Sequence, residues 1–319
     1  MVVTPRVLSV IVPIYKNEAS LPSLLDRLSS LPRDPSVEMR IVFVVDGSPD
    51  HSEAVLRSQL ETFDLPTTLI VLSRNFGAFA AVRAGLEHAR GDYFAVMAAD
   101  LQEPPELLPS FVERLETGEV DLVLGERQGR SDPARTRLTS GIFWWLYRRF
   151  VQPSMPRGGV DVFACNAAVR TAILDLREAN SSLVGQLLWI GFRQEKVGYR
   201  RLPRTEGKSA WTFRKRLRYM TDSIFSFTDL PIRALLFVGF SACVAVTVLA
   251  IAVAASWAFG SVSVPGYTPL MLSILIVGGA VTFGLGVVGT YVWRTYENTK
   301  QRPLTIEQSV DCYPRRSEK

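Results

Sequence analysis

An apolar run, Tyr93 to Ala99, ends by delivering a carboxylate, Asp100, and an amide, Gln102. The run reads as a buried strand of a parallel sheet. Pro104 and Pro105 break it and suit the first turn of a following helix. In open α/β sheets, ligands bind in the crevice outside the carboxyl ends of the strands. A carboxylate there is what a hard divalent ion carrying a diphosphate needs, although an isolated Asp serves equally well as a helix N-cap. Three further polar groups follow apolar runs in the same way. Asp46-Gly47-Ser48-Pro49-Asp50 follows Ile41–Val45, Ser73-Arg74-Asn75-Phe76-Gly77 follows Thr68–Leu72, and Gly125-Glu126-Arg127 follows Asp121–Leu124. Alone, the Asp46 segment is an ordinary acidic turn. Together they mark one sheet edge as a site.

The elements that hold these groups alternate. Val7 to Tyr15 reads as a first strand, and Asn17 or Ser20 caps a helix with Leu21, Leu24, Leu25 and Leu28 on one face. Strands alternating with helices up to Leu124 predict an α/β fold, a doubly wound and mostly parallel, Rossmann-like sheet.

The 319-residue chain is 47% hydrophobic. No Asp, Glu, Lys or Arg stands between Arg233 and Arg294. Ala234–Phe259 and Leu270–Trp293 are each long enough to cross a ~30 Å hydrocarbon core, which predicts a two-helix transmembrane hairpin turning at 260–266. Arg233, Arg294, Lys300 and Arg302 flank its outer ends, so the positive-inside rule puts both termini in the cytoplasm of a multi-pass inner-membrane protein. Val7 to Tyr15 is too short, and too broken by Pro13, for a signal peptide. Leu138–Phe150 reads as an interfacial amphipathic helix or as a helix packed on the sheet, and Trp211–Leu230 as a second interfacial segment. The expected division is 1–134, 135–232, 233–294 and 295–319.

The net charge of +5 does not imply nucleic acid, because Arg193–Arg218 gathers Lys and Arg against only Glu195 and Glu206 beside the membrane. Cys165, Cys243 and Cys312, with His51 and His88, lack metal or disulfide spacing. Two spans without an intramembrane charge argue against a flippase or channel. Ala280 and Gly284 form a small-xxx-small pair that helix packing can use.

Six segments in order then resemble the family 2 glycosyltransferases, within them the membrane-bound polyprenyl-phosphate enzymes akin to dolichol-phosphate mannose synthase and bacterial undecaprenyl-phosphate glucosyltransferases. They are Ser9–Glu18, Val45–Asp50, Arg74–Gly77, Ala98–Gln102, Arg204–Ser209 and Arg294–Pro303. The resemblance implies a GT-A-like sheet and inverting transfer of a sugar from a nucleotide diphosphate, such as UDP-glucose or a similar UDP-hexose, to polyprenyl phosphate for cell-envelope glycans. It implies nucleotide-sugar contacts from Pro13, Tyr15, Glu18, Asp46, Arg74, Asn75 and Gly77 together with Asp100 and Gln102. Asp100 and Gln102 would also hold Mg²⁺ or Mn²⁺. Arg127, Arg204, Ser209 and Lys215 would meet the acceptor phosphate, and Asp161 would orient it or act as base. Relatives of this kind also form homo-oligomers such as tetramers. This chain departs from the pattern at Val45 and Ala98, where the family has acids, and at Ala210, where it has Lys. Those losses support a second reading: a non-catalytic member that binds nucleotide or lipid phosphate and supports a membrane partner.

Overall fold

The computed structural model describes residues 5–128, 145, 147–149, 152–156, 159–178, 181–202, 213–258 and 267–315. The expected α/β sheet is present. In chain order, β1 (Arg6–Ile14), α1 (Leu21–Ser29), β2 (Val37–Val45), α2 (Ser52–Leu60), β3 (Thr67–Leu72), α3 (Ala78–His88) and β4 (Tyr93–Val96) alternate without exception. Then come α4 (Leu107–Glu116), β5 (Leu122–Arg127), β6 (Phe163–Asn166), α5 (Ala167–Asp175), α6 (Leu183–Trp189) and β7 (Gln194–Tyr199). The eight strands run β7-β5-β6-β4-β1-β2-β3-β8, where β8 is Glu307–Tyr313.

The buried stretches of the central strands are almost wholly apolar because both faces are covered. On β1, Val10, Val12 and Ile14 enter one core while Ile11 enters the other. On β2, Ile41, Phe43 and Val45 alternate with Val42 and Val44 in the same way. A strand buried on both faces loses its polar alternation. Gly85 lets α3 lie close on β1, since a Cβ there would stand 2.4 Å from Ile11 Cγ2.

Three strands go beyond the five expected, and one of them, β7, extends the sheet parallel to β5. Strand β6 inserts between β4 and β5 and runs antiparallel to both. The 295–319 stretch, expected as a tail, returns to the sheet as β8, antiparallel to β3. Arg57 fixes it with bonds to Asp311 at 2.9 Å and Ser309 at 3.0 Å, and His88 meets Glu307 at 2.8 Å. The edge of β3 is thereby covered.

Beyond the sheet, α7 (Phe213–Phe227) leads to α8 (Leu230–Ala258) and α9 (Tyr267–Thr299). The chain does not run straight from α7 into α8. It bends by 78° between Met220–Phe227 and Leu230–Ala242. Ile276–Thr299 has the length and composition to cross a membrane, and the bent pair is a second candidate. Large side chains on both helices stand uncovered, among them Phe237, Phe240, Ile251, Ile276 and Phe283. An apolar surface of that extent marks a membrane or interaction face. Helix α7 is clamped from two sides. Phe227 lies against Gly185 of α6, and Asp222 pairs with Arg294 of α9 at 2.6 Å.

Most of the 138–150 segment lies outside the described residues. Tyr147 is buried in the core on the α3 side of the sheet, while Trp145 is 58% exposed. Part of that segment therefore packs on the sheet, as the alternative reading had it.

Candidate active site

The site grows from the C-terminal ends of β1, β2, β3 and β4, where the loops are stitched to one another. After β1, the Lys16 N–H donates to Ser48 Oγ at 2.8 Å and the Glu18 N–H to Asp50 Oδ2 at 3.1 Å. Glu18 answers by accepting from the His51 N–H at 3.0 Å. Burial pushes the Asp50 carboxyl up, but the hydroxyls of Ser48 and Ser52 and the Glu18 amide outweigh it and hold the group below the usual carboxylate range. Pro13 is half-buried at the end of β1, and the Tyr15 N–H donates to Asn17 Oδ1 at 3.0 Å.

Asp46 is 2% exposed. Its two carboxylate oxygens accept from the N–H groups of Phe76 at 2.7 Å and Gly77 at 2.9 Å. Its carbonyl accepts from Asn75 Nδ2 at 3.1 Å. This carboxylate shapes the Arg74–Gly77 loop at the start of α3. The Arg74 guanidinium stacks on Phe76, 3.9 Å from the ring centroid.

The loop after β4 carries the sequence's central pair. Asp100 accepts from the Gln102 N–H at 3.3 Å across Leu101, whose φ is +55°. A leucine in that left-handed region costs roughly 1–3 kcal/mol and persists only where surrounding contacts hold it. They are present: Ser20 Oγ donates to Ala99 O at 2.9 Å, and the Leu202 N–H donates to Gln102 O at 2.9 Å.

Whether this loop fits a divalent ion is a question of ligand number. Asp100 and Gln102 supply one carboxylate and one amide oxygen, with Ala98 where a second acid would stand. Among the described residues no group of three or more His, Cys, Asp or Glu is placed to hold a metal. Two oxygen ligands do not make a free-standing cation site. They do fit an ion such as Mg²⁺ that brings substrate phosphates and waters for the rest of its shell.

Across the site, three adjacent strands bring together residues that the sequence placed separately. Arg127 of β5 donates from Nε to Asp161 Oδ2 at 2.7 Å and also from Nη2 to the same oxygen. Tyr199 of β7 donates its hydroxyl to that oxygen at 3.3 Å. Burial lowers the Arg127 pKa, and Asp161 more than compensates, keeping it above the ordinary value. Burial and the nearby negative charge of Asp161 push the Tyr199 phenol up.

Sequence reasoning missed Glu103 and Arg201. Glu103 is 1% exposed, and neither of its oxygens has a hydrogen-bond partner among the described residues. Arg201 Nε lies 3.4 Å away, close enough to pair as a charge. Burial first, then the charges of Asp161 and Asp100, push the Glu103 carboxyl up to about 7, against the opposing pull of Arg201 and Arg127. An acid wedged between Gln102 and Pro104 was the available signal. Arg204 and Ser209 lie outside the described residues, as does the side chain of Lys215, which sits on α7.

Comparison with known proteins identifies relatives over nearly the whole chain. The chain is 32% identical over 306 residues to an uncharacterised glycosyltransferase of Synechocystis, covering 94% of both. It is 32% identical to the prophage bactoprenol glucosyl transferase homolog of Escherichia coli, covering 95% of this chain and 99% of that one. The solved glucosyl-3-phosphoglycerate synthase of Mycobacterium tuberculosis, bound to uridine-diphosphate, superposes with a TM-score of 0.47 at 18% identity, over 69% of this chain and 79% of its own. The profile of glycosyl transferase family 2 matches residues 9–176, which hold Asp46, Arg74, Asp100, Gln102, Arg127 and Asp161. The chain belongs to glycosyl transferase family 2.

Proposed function

We propose that this glycosyltransferase moves a hexose from a UDP-sugar to undecaprenyl phosphate at the cytoplasmic face of the membrane. The observation that carries the reading is the meeting of two half-sites at one sheet edge. The Asp100–Gln102 loop suits a diphosphate, and the Arg127–Asp161 pair stands at the end of β5 and just before β6, in a domain clamped through α7 to a long apolar helix. The names of the bactoprenol relatives support the lipid acceptor.

The chemistry asks little of a general base. A phosphate monoester has a second pKa near ~6, so the acceptor is already largely a dianion at neutral pH. One of its oxygens attacks the anomeric carbon, the bond from that carbon to the diphosphate oxygen breaks, and no proton need move. A single displacement inverts the anomeric centre. Asp100 and Gln102 would hold Mg²⁺ or Mn²⁺ with the donor, and the ion would stabilise charge on the departing diphosphate. The loops ordered by Asp46 and Asp50 bind the nucleotide. Arg127, already oriented by Asp161, would face the acceptor phosphate, and the family resemblance adds Arg204, Ser209 and Lys215 as further phosphate contacts.

Purified protein given undecaprenyl phosphate, UDP-hexoses and Mg²⁺ or Mn²⁺ should move radiolabelled sugar into an organic-extractable lipid. Nucleotide binding without transfer from any UDP- or GDP-sugar would instead support the non-catalytic reading, which Ala98 favours.

The membrane arrangement follows from chain continuity. The chain leaves the sheet before α7 and re-enters the same sheet at β8. Any crossings between those points must be even in number, which supports a hairpin with both ends in the cytoplasm. Cys312 on β8 is exposed and checks this. In right-side-out spheroplasts a membrane-impermeant maleimide should leave Cys312 unlabelled until the membrane is opened. Labelling of sealed spheroplasts that disappears in Cys312→Ser would place β8 outside and defeat the hairpin.

A further inference from the structure

We propose that Glu103 and Arg201 form a buried latch that fixes the donor loop against the acceptor-side carboxylate, and that both are positioning residues. This rests on the transferase reading above. Three contacts join the two segments. Arg201 Nε approaches Glu103 at 3.4 Å, the Leu202 N–H donates to Gln102 O at 2.9 Å, and Gln102 Nε2 reaches Leu202 O at 3.4 Å. On one side, Glu103 directly continues the Asp100–Gln102 loop. On the other, Arg201 lies two residues past Tyr199, which donates to Asp161. The same strand end accepts the Gln128 N–H through Tyr199 O at 2.7 Å, tying it to the end of β5 and Arg127. One short segment, Tyr199–Leu202, thus touches both halves of the site.

Stability does not explain the pair. Glu103 is 1% exposed with neither oxygen hydrogen-bonded among the described residues, and Arg201 Nε is equally unpartnered. Buried ion pairs frequently break even or lose against neutral replacements, because desolvation offsets the attraction. A carboxylate kept in that setting stabilises the fold little, and the tie it makes between the Gln102 and Leu202 segments is what it supplies. Arg201 is 30% exposed and can reach water if Glu103 loses its charge. Neutralising the acid is therefore cheap for the fold and costly for the geometry.

The test is a double-mutant cycle in the full-length, detergent-purified protein with Glu103→Gln, Arg201→Gln and the pair, plus Arg201→Lys. A misplacement of about 1 Å can cost on the order of a hundredfold, so each single variant should lower kcat by roughly tenfold to a hundredfold. KM for the UDP-sugar should stay within about twofold, the pattern of an interaction that matters in the transition state. The double variant should be no slower than either single one, and Arg201→Lys should recover part of the rate. The thermal midpoint of Glu103→Gln should equal or exceed that of the wild type. Amide exchange at Leu202 should quicken in Glu103→Gln. Additive losses of kcat, or a raised donor KM with unchanged kcat, would overturn the latch. So would wild-type exchange at Leu202 in Glu103→Gln, a result that stands whether or not the wild type transfers sugar. Failure of the wild type on every donor would count against the transferase reading alone.

Discussion

Asp100→Ala is expected to remove lipid glycosylation almost completely, lowering kcat by about a thousandfold while the protein stays folded. Preorganised charge at a developing anion is worth roughly 3–4 kcal/mol per group, or 10²–10³ in rate. This chain has less redundancy than that figure assumes. Ala98 leaves Asp100 as the one acid among Ala98–Gln102, and Glu103 is buried and turned toward Arg201. Asp100 is half-exposed, and its bond to the Gln102 N–H is long, at 3.3 Å. Losing such a bond costs about 1 kcal/mol. Asp100→Asn, which keeps an oxygen but not the charge, should fall between the two. Single-turnover transfer with thermal midpoints measured alongside separates chemistry from folding. A kcat within threefold of wild type for Asp100→Ala would remove this loop from the leaving-group site.

How far this was legible from sequence depends on the distance over which each feature is decided. Strands β1 to β4 were readable because burial on both faces forces an unbroken apolar run, as in Val10-Ile11-Val12 and Phe43-Val44-Val45. Their C-terminal loops then fell at one edge by the parallel rule alone. Strand β6 was not readable, because Phe163–Asn166 is four residues long and its place between β4 and β5 is set by pairing. The β8 strand hid for a related reason. Glu307–Tyr313 is polar at an exposed sheet edge, and only its register on β3 defines it.

The site residues divide in the same manner. Asp100 and Gln102 were found because they follow a strand directly. Arg127 and Asp161 were assigned one by one, and their pairing across 34 positions required the order β7-β5-β6. Asp46 was read as a nucleotide contact, and the structure shows both its oxygens engaged by Phe76 and Gly77. No local pattern in the sequence announces that a carboxylate orders a neighbouring loop in this way.

That loop is where a single methyl group should do the most damage to the fold. Gly47 has a φ of +52°, and a Cβ there would stand 2.3 Å from the Arg74 carbonyl carbon and 2.4 Å from the Asn75 nitrogen. Both neighbours are backbone, so no side chain can swing aside. Gly47→Ala must either push the 74–77 segment away or pull residue 47 out of its left-handed conformation. The first route breaks the Asp46 bonds to Phe76 and Gly77, and hydrogen bonds to a charged group are worth about 1.5–3 kcal/mol each. The second displaces the Asp46 carboxylate itself. The left-handed conformation alone costs roughly 1–2 kcal/mol for a residue with a Cβ. A total of about 4 kcal/mol is expected, at the severe end for one substitution. For a domain of this size that is on the order of 10 °C in thermal midpoint. Gly118 supplies the control, since its φ is +70° and nothing lies within 4 Å of an added Cβ. Gly118→Ala should therefore show the conformational cost alone, about 1 kcal/mol. Comparing the two variants by thermal denaturation, with UDP binding measured on whatever remains folded, isolates the contact. Equal losses at positions 47 and 118 would mean that the close approach of the two loops carries no energy, and Asp46 would then have to be reassigned from clamp to ligand.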